Sequence, residues 1–432
     1  MMKKILIAMA VAVTVLSACD RPVEKPAWFT NEAYFEEKNG MYDEIPVFPG
    51  NIVMVGDDYI DRGLWSEFYA DTTFKNRGIT YDATPHVMYR IDRIAAGKPY
   101  KIFVSVGWND ILHGTPAEEI VANIELIFNR IHKKSPDTKC YWMNIVACPT
   151  LDEAQLAACE RVNELVEALS KRAGFTYVDI DSALKDGIAD GTFSWDNGKL
   201  LNGAGYAAMA KALEPFVDRT SLLNPADKED ALEVSDYYKH RVSLFRATPL
   251  APGHIVMLGN SLNNNALWTE LFPMGYILNR GISGDVVLGV DQRVEELERH
   301  KPVKIYLITG TNDFINEPEV TAVEVWQRYE KLIKDIREKM PYSAFYVMST
   351  LPLNPKTKFY EGFNDRAAEL NKLLASASGR YGYVFLDIAR LLSDENGDLR
   401  SEYTTDGIHL SATGYFVWAA ELSKGNRMLR DL

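Results

Sequence analysis

Five residues in the second half of the chain have the types and order that acyl transfer requires: Ser261, Gly281, Asn312, Asp406 and His409. A serine hydroxyl is a weak nucleophile until a base takes its proton. His409 can be that base. Asp406, three residues earlier, can hold the imidazole tautomer and stabilise its positive charge. The tetrahedral oxyanion formed on an ester needs preorganised donors. The backbone N–H groups of Ser261 and Gly281 and the side-chain amide of Asn312 would supply three. Glycine at 281 would let the backbone approach substrate closely. Singly, these residues are ordinary: Gly-Asn-Ser is commonly a turn, and an Asn after an apolar run is commonly a cap. Their weight comes from their order and from where they stand.

They stand just after apolar runs. In this half the runs are HIVML, GYILN, VKIYLIT, AFYVMS and YVFLD. The runs are continuous rather than alternating, which suits strands buried on both faces. Between them lie helical patterns such as VEVWQRYEKLIKDIREKM and FNDRAAELNKLLASASGR. Alternating strand and helix predicts an α/β fold, a parallel sheet with helices on both faces. Ligands in such sheets lie at the carboxyl ends of the strands. Gly259-Asn260-Ser261, Arg280-Gly281 and Gly310 to Asp313 all follow runs directly.

The pattern is written twice. IVMVGDDYIDRGLW at 52–65 parallels IVMLGNSLNNNALW at 255–268, 203 positions later. NRGI at Asn76 and Asn279, GWND at Gly107 against GTND at Gly310, and Pro149 against Pro352 keep that spacing. About 120 residues align without a net gap, the signature of tandem copies of one domain. Near the end the register slips, and Gly205-Tyr206 matches Gly414-Tyr415 at a spacing of 209. The first copy is assigned to 32–220, a linker to 221–234 and the second copy to 235–432.

The first copy lacks the catalytic set. Gly78 and Asn109 survive, but Asp58 stands at the position of Ser261. Alignment on Gly205-Tyr206 places Asn197 opposite Asp406 and Leu200 opposite His409; shifting the gap by one offers Asp196 and Lys199. Neither choice gives a histidine. Asp58 as a carboxylate nucleophile would still need a proton shuttle, and His86 and His113 fall outside the triad blocks. The favoured reading is a degenerate domain kept for folding, binding or spacing.

With Ser261, Gly281, Asn312 and His409 in separate blocks, the second copy resembles the SGNH (GDSL-type) hydrolases. It is most similar to the branch of platelet-activating-factor acetylhydrolase subunits and bacterial sialate and carbohydrate acetylesterases. The resemblance implies two tandem flavodoxin-like domains of about five parallel strands, and a serine esterase working through an acyl-enzyme with no metal or cofactor. It also implies short acyl groups, O-acetyl above all, on a carbohydrate such as a sialic acid. The alternatives are a lysophospholipase or lipid esterase, and a non-catalytic glycan-binding lipoprotein. Asn260 replaces the Asp of the family's GDS, which bears on the substrate side of that loop. The polar LNNNALW leans towards a soluble or sugar ester. Trp268, Trp326 and Trp418 could stack on sugars, but they sit at helical spacing among apolar neighbours, so core packing is favoured.

Composition narrows partners. The chain has 432 residues and a formal net charge of −13, with no basic run. Nucleic acid is excluded as a partner, since phosphate binding needs a basic face. The N-terminus reads MMKKILIAMAVAVTVLSACD, a basic pair, a short apolar stretch and small residues before Cys19. This predicts a lipoprotein signal peptide over 1–18, lipidation at Cys19, a tether over 19–31 and a site in the bacterial cell envelope. Removing 1–18, with two lysines and no acid, moves the charge to −15. Cys140, Cys148 and Cys159 are odd in number, and Cys140 and Cys148 flank CYWMNIVAC, read as one buried strand. A strand of that length holds them roughly 26 Å apart, too far for a bridge, so buried free thiols are expected.

Overall fold

Ten short parallel strands form, most of them on apolar runs, because segments rich in Val, Ile, Phe and Tyr bury both faces only between layers of helices. A computed structural model describes residues 22–196, 198–223, 234–248, 254–273 and 276–424. The expected signal peptide at 1–18, Cys19, the start of the tether, most of the linker and Asn197 lie outside the described residues. The first sheet holds β1 (Ile52–Gly56), β2 (Phe74–Gly78), β3 (Lys101–Ser105), β4 (Lys139–Met143) and β5 (Thr176–Val178), in the order β2-β1-β3-β4-β5. The second holds β6 (Ile255–Gly259), β7 (Ile277–Gly281), β8 (Lys304–Ile308), β9 (Ala344–Met348) and β10 (Val384–Leu386), in the order β10-β9-β8-β6-β7. Pairing is parallel in both, and Gly56↔Gly78 in the first register repeats as Gly259↔Gly281 in the second. The tandem α/β architecture read from the sequence is present.

The chain divides into two compact units. One takes the described residues through Phe35 and those from Pro46 to 223. The other takes Glu36–Ile45 and the described residues from 234 onwards. Helices cover each sheet with one apolar face. In the second unit Ala322–Lys339 starts at a capping box, in which Thr321 accepts from Glu324 N–H and the Glu324 carboxylate accepts from Thr321 N–H. Its Val325, Tyr329, Leu332 and Ile336 meet Ile305, Leu307 and Val347 of the sheet in one core.

One expectation changes. The run CYWMNIVAC is not one strand: β4 ends at Met143, because Asn144 turns its side chain to accept from the N–H groups of Ile180 and Asp181. The thiols remain apart, and Cys140, Cys148 and Cys159 are buried and free. Burial pushes the Cys140 and Cys159 thiols up to about 12. The tryptophans serve packing: Trp268 and Trp418 are fully buried edge to face, and Trp326 packs partly buried against the core.

Candidate active site

In the second unit, Ser261 opens a short helix, Ser261–Asn265, directly after β6. The turn into it needs Gly259 at φ +147°, where any Cβ would meet the Ile308 carbonyl at 1.8 Å. Asn260 caps the helix by accepting from Leu262 N–H at 3.1 Å. Ser261 N–H is thereby a first-turn amide with no intrahelical acceptor.

Two buried side chains lock this helix to the sheet. Asn279 Nδ2 donates to the Asn263 and Ala266 carbonyls at 2.7 and 3.2 Å. Arg293, 2% exposed, donates to the Gly259 and Arg280 carbonyls at 2.9 and 2.8 Å, and its Nε and Nη2 both donate to Asp285 Oδ2 in an ion pair. It therefore ties the carboxyl ends of β6 and β7 together beside Ser261 and Gly281. The first unit repeats both devices. Asn76 holds the carbonyls of Ile60, Asp61 and Gly63, and Arg90 holds Gly56, Arg77 and Asp82. Asn76 and Asn279 stood in the sequence only as markers of the repeat, and Arg90/Arg293 and Asp82/Asp285 keep the same spacing of 203 unremarked.

The three residues expected to form a triad come together within the second unit. Ser261 Oγ lies 3.0 Å from His409 Nε2, and His409 Nδ1 lies 2.6 Å from Asp406 Oδ2. Asp406 also builds its own loop: Oδ1 accepts from the N–H groups of Ile408 and His409, both at 2.8 Å, around Gly407 at φ +92°. Burial works against the Asp406 carboxylate, but the hydrogen bond and charge of His409 with the two loop amides bring it down to about 2. Burial also works against the charged imidazole, yet the Asp406 bond and the charges of Glu37 and Asp406 raise His409 above its ordinary value.

The expected oxyanion donors are placed unequally. Asn312 follows β8, and its Nδ2 spends one hydrogen on the Asp285 carbonyl at 2.9 Å, leaving the other. Gly281 N–H already donates to Asn279 Oδ1 at 2.9 Å, so an oxyanion would have to share it. The need for glycine at 281 also differs from expectation. A Cβ there would lie 2.1 Å from Asn264 N, so glycine admits the helix that carries Ser261 rather than substrate.

One residue gave no signal in the sequence. Glu37 is buried in the second unit, on the helix Glu32–Glu44, and accepts from Asn265 Nδ2 at 3.0 Å across 228 positions of chain. Asn265 is one turn beyond Ser261. Burial first, with the Asp406 charge adding, lifts the Glu37 carboxyl to about 7 against the opposing pull of His409, Asn265 and Lys38. The repeat offers no hint, since His240 occupies the corresponding place in the second copy.

A sequence model of the GDSL-like lipase/acylhydrolase family matches residues 55–208 and again 258–416, well over half of the chain. The chain belongs to the GDSL-like lipase/acylhydrolase family. It carries the GDSL match once per copy and is a carboxylic ester hydrolase of that family. It is similar to platelet-activating factor acetylhydrolase IB subunit alpha2 of Rattus norvegicus, 27% identical over 192 residues, covering 42% of this chain and 82% of that one. Subunit alpha1 of Pongo abelii is 29% identical over 167 residues, covering 37% and 70%. The solved structure of a GDSL-like lipase from Bacteroides thetaiotaomicron is 19% identical, covering 45% of this chain and 98% of that one, with a TM-score of 0.39.

In the first GDSL unit Asp58 stands at the place of Ser261, and no histidine stands at the place of His409. Its last loop resolves the open alignment differently from either option. Bridges pair Ser194 with Leu201 and Thr404 with Leu410, so the first loop is one residue longer. Leu200 N–H donates to Asp196 Oδ1 at 2.8 Å, as His409 N–H does to Asp406. Asp196 thus stands for Asp406 and Leu200 for His409, in place of the Asn197 pairing; Asn197 is outside the described residues. Gly78 N–H is held by Asn76, as Gly281 is by Asn279. Asp58 turns its carboxylate onto the surviving donor: Oδ2 accepts from Asn109 Nδ2 at 3.2 Å and from Tyr81 N–H at 3.0 Å. The Asn109 amide, the counterpart of Asn312, is thus taken up by the protein's own carboxyl group.

Proposed function

We propose that the second unit hydrolyses short-chain O-acyl esters through an acyl-enzyme on Ser261. The carrying observation is the unbroken relay from Ser261 Oγ through His409 to Asp406. His409 takes the serine proton as the hydroxyl attacks, and returns it to the departing alcohol. Asp406 fixes the tautomer that leaves Nε2 free to accept. Ser261 N–H and Asn312 Nδ2, with Gly281 N–H shared, face the oxyanion. Water then repeats the cycle on the acyl group.

Acetyl is the acyl group favoured, supported by the acetylhydrolase subunits to which the chain is similar. The alcohol we place among carbohydrates on the resemblance to carbohydrate acetylesterases. The asparagine stretch does not add to this, because Asn263 and Asn265 are buried and bonded within the protein, Asn263 Nδ2 to the Leu258 carbonyl at 2.7 Å. The test is hydrolysis of p-nitrophenyl acetate against longer acyl homologues, followed by acetylated glycans and lysophospholipid. Preference for acetate supports this reading; a rise in kcat/KM with chain length replaces it with a lipid esterase.

Glu37 should set the acid limb of this activity. Turnover needs a neutral imidazole, and negative charge nearby keeps His409 protonated to higher pH. Glu37→Gln removes that charge, so the acid limb of kcat/KM should move to lower pH. The two groups titrate as a pair, because Glu37 itself gains charge only above about 7. An unmoved limb would show that Glu37 serves packing alone.

We also propose lipid anchoring at Cys19 in the bacterial envelope, motivated by LSAC at 16–19. Cys19→Ala should release the protein from the membrane fraction; retention there would refute the anchor. Among the described residues no helix is long and apolar enough to cross a membrane.

A further inference from the structure

At the carboxyl ends of the first sheet lies a cavity of about 510 Å³, within the range usual for small-molecule sites. Val106, Ile145, Val146 and Leu200 give it aliphatic walls, and Trp108 and Tyr81 add aromatic faces. Asp57 and Asp58 line the same space. Asp57 is 6% exposed, caps no helix amide, and receives no hydrogen bond from any side chain among the described residues. A buried carboxyl with no side-chain donor is costly, and this one lines a cavity able to supply a donor.

Tyr81 marks the same place. It holds φ +72°, a left-handed conformation that strains a non-glycine residue. The second unit uses Gly284 there, at φ +82°. The first unit thus keeps a strained aromatic residue where glycine would serve, and its amide holds Asp58 while its ring lines the cavity.

We propose that this cavity binds a small organic cation, a primary ammonium on an apolar body, with the ammonium against Asp57 and the body among the aliphatic and aromatic walls. The polarity follows from the substitutions. Where the second unit offers donors to a developing anion, the first has filled them with Asp58 and added a second carboxyl. Arg62 lies 3.5 Å from Asp58 Oδ1, and Arg90 is bound to Asp82 at 2.7 Å. His113 Nδ1 lies against the Asn109 carbonyl. Arg62 and Arg90 are therefore engaged with Asp58 and Asp82, and the lysine of the lining, Lys199, shares the cavity with three carboxyls, Asp57, Asp58 and Asp196, while the charges of Asp58, Asp82 and Asp110 act on Asp57. Aromatic faces add cation–π attraction.

Burial first, and then the charges of Asp58, Asp82 and Asp110, push the Asp57 carboxyl well up. An arriving ammonium favours its ionised form, so binding should release a proton. The test is titration calorimetry of the full chain with phenethylamine and its uncharged counterpart 2-phenylethanol, in two buffers of different ionisation enthalpy. Expected are at least tenfold tighter binding of the amine and net proton release. Asp57→Asn should weaken the amine at least tenfold and abolish the release; Asn260 fills this position in the second unit, so the fold accepts it. Tyr81→Gly, which relieves the left-handed strain, should also weaken the amine while raising the thermal midpoint. Equal binding of amine and alcohol, amine binding unchanged in Asp57→Asn, or no binding of either probe would overturn the proposal.

Discussion

Ser261→Ala should reduce kcat for ester hydrolysis by about 10⁴–10⁶-fold, the range for loss of a triad nucleophile, and leave KM and the folded state nearly unchanged. The alanine removes one oxygen from a residue that is already 8% exposed, so no cavity of consequence opens. Residual turnover should come from Asn312 and the amides that polarise the carbonyl. The companion experiment tests the first unit. Asp58→Ser on the Ser261→Ala background restores a hydroxyl but supplies no base, since Leu200 holds the place of His409. It should recover nothing. Rates measured on p-nitrophenyl acetate decide both. Activity surviving Ser261→Ala would move the chemistry away from His409, and rescue by Asp58→Ser would show that the first unit retains a proton acceptor.

Arg293→Met should cost about 3–5 kcal/mol of stability, the penalty for stripping one partner from a buried ion pair. Asp285, 5% exposed, already stands at about 6 because burial outweighs the attraction of Arg293. Without Arg293 it would keep its proton higher still, and the Gly259 and Arg280 carbonyls would lose their donor. That is a large share of the roughly 5–15 kcal/mol that holds a domain folded. Denaturant midpoints in the second unit's transition measure it. Arg293→Met with Asp285→Leu should recover part of the loss, because removing both partners leaves no stranded charge. A single variant with an unchanged midpoint would mean that the strand ends are held without Arg293.

The sequence made the ten strands and the triad legible because each lies on a local pattern: apolar runs, the residue after a run, and a repeat that varies just where chemistry does. Asn279 and Arg293 were hidden because their work is done on backbone carbonyls, which leave no mark on the residues that supply them. Gly281 was seen but its purpose misread, since spacing cannot say which backbone will come within 2.1 Å of a missing Cβ. The exchange of Asn197 for Asp196 turned on one inserted residue, which only the paired bridges locate. Glu37 was beyond reach, for it meets Asn265 from the far end of the chain.

The second unit is encoded in two pieces, 36–45 and the described residues from 234, with the body of the other unit written between them. On a ribosome adding roughly 5–20 residues each second, the helix bearing Glu37 emerges some 10–40 s before the sheet that will bury it. The first unit can complete its sheet during that interval; the second cannot close until the Asp406–His409 loop is released. A gene cut at the repeat boundary, from 235, would encode Ser261, Asp406 and His409 and still omit the carboxylate that accepts from Asn265. The copies read as interchangeable cassettes in the sequence, but the boundary between the repeats is not the boundary between the units.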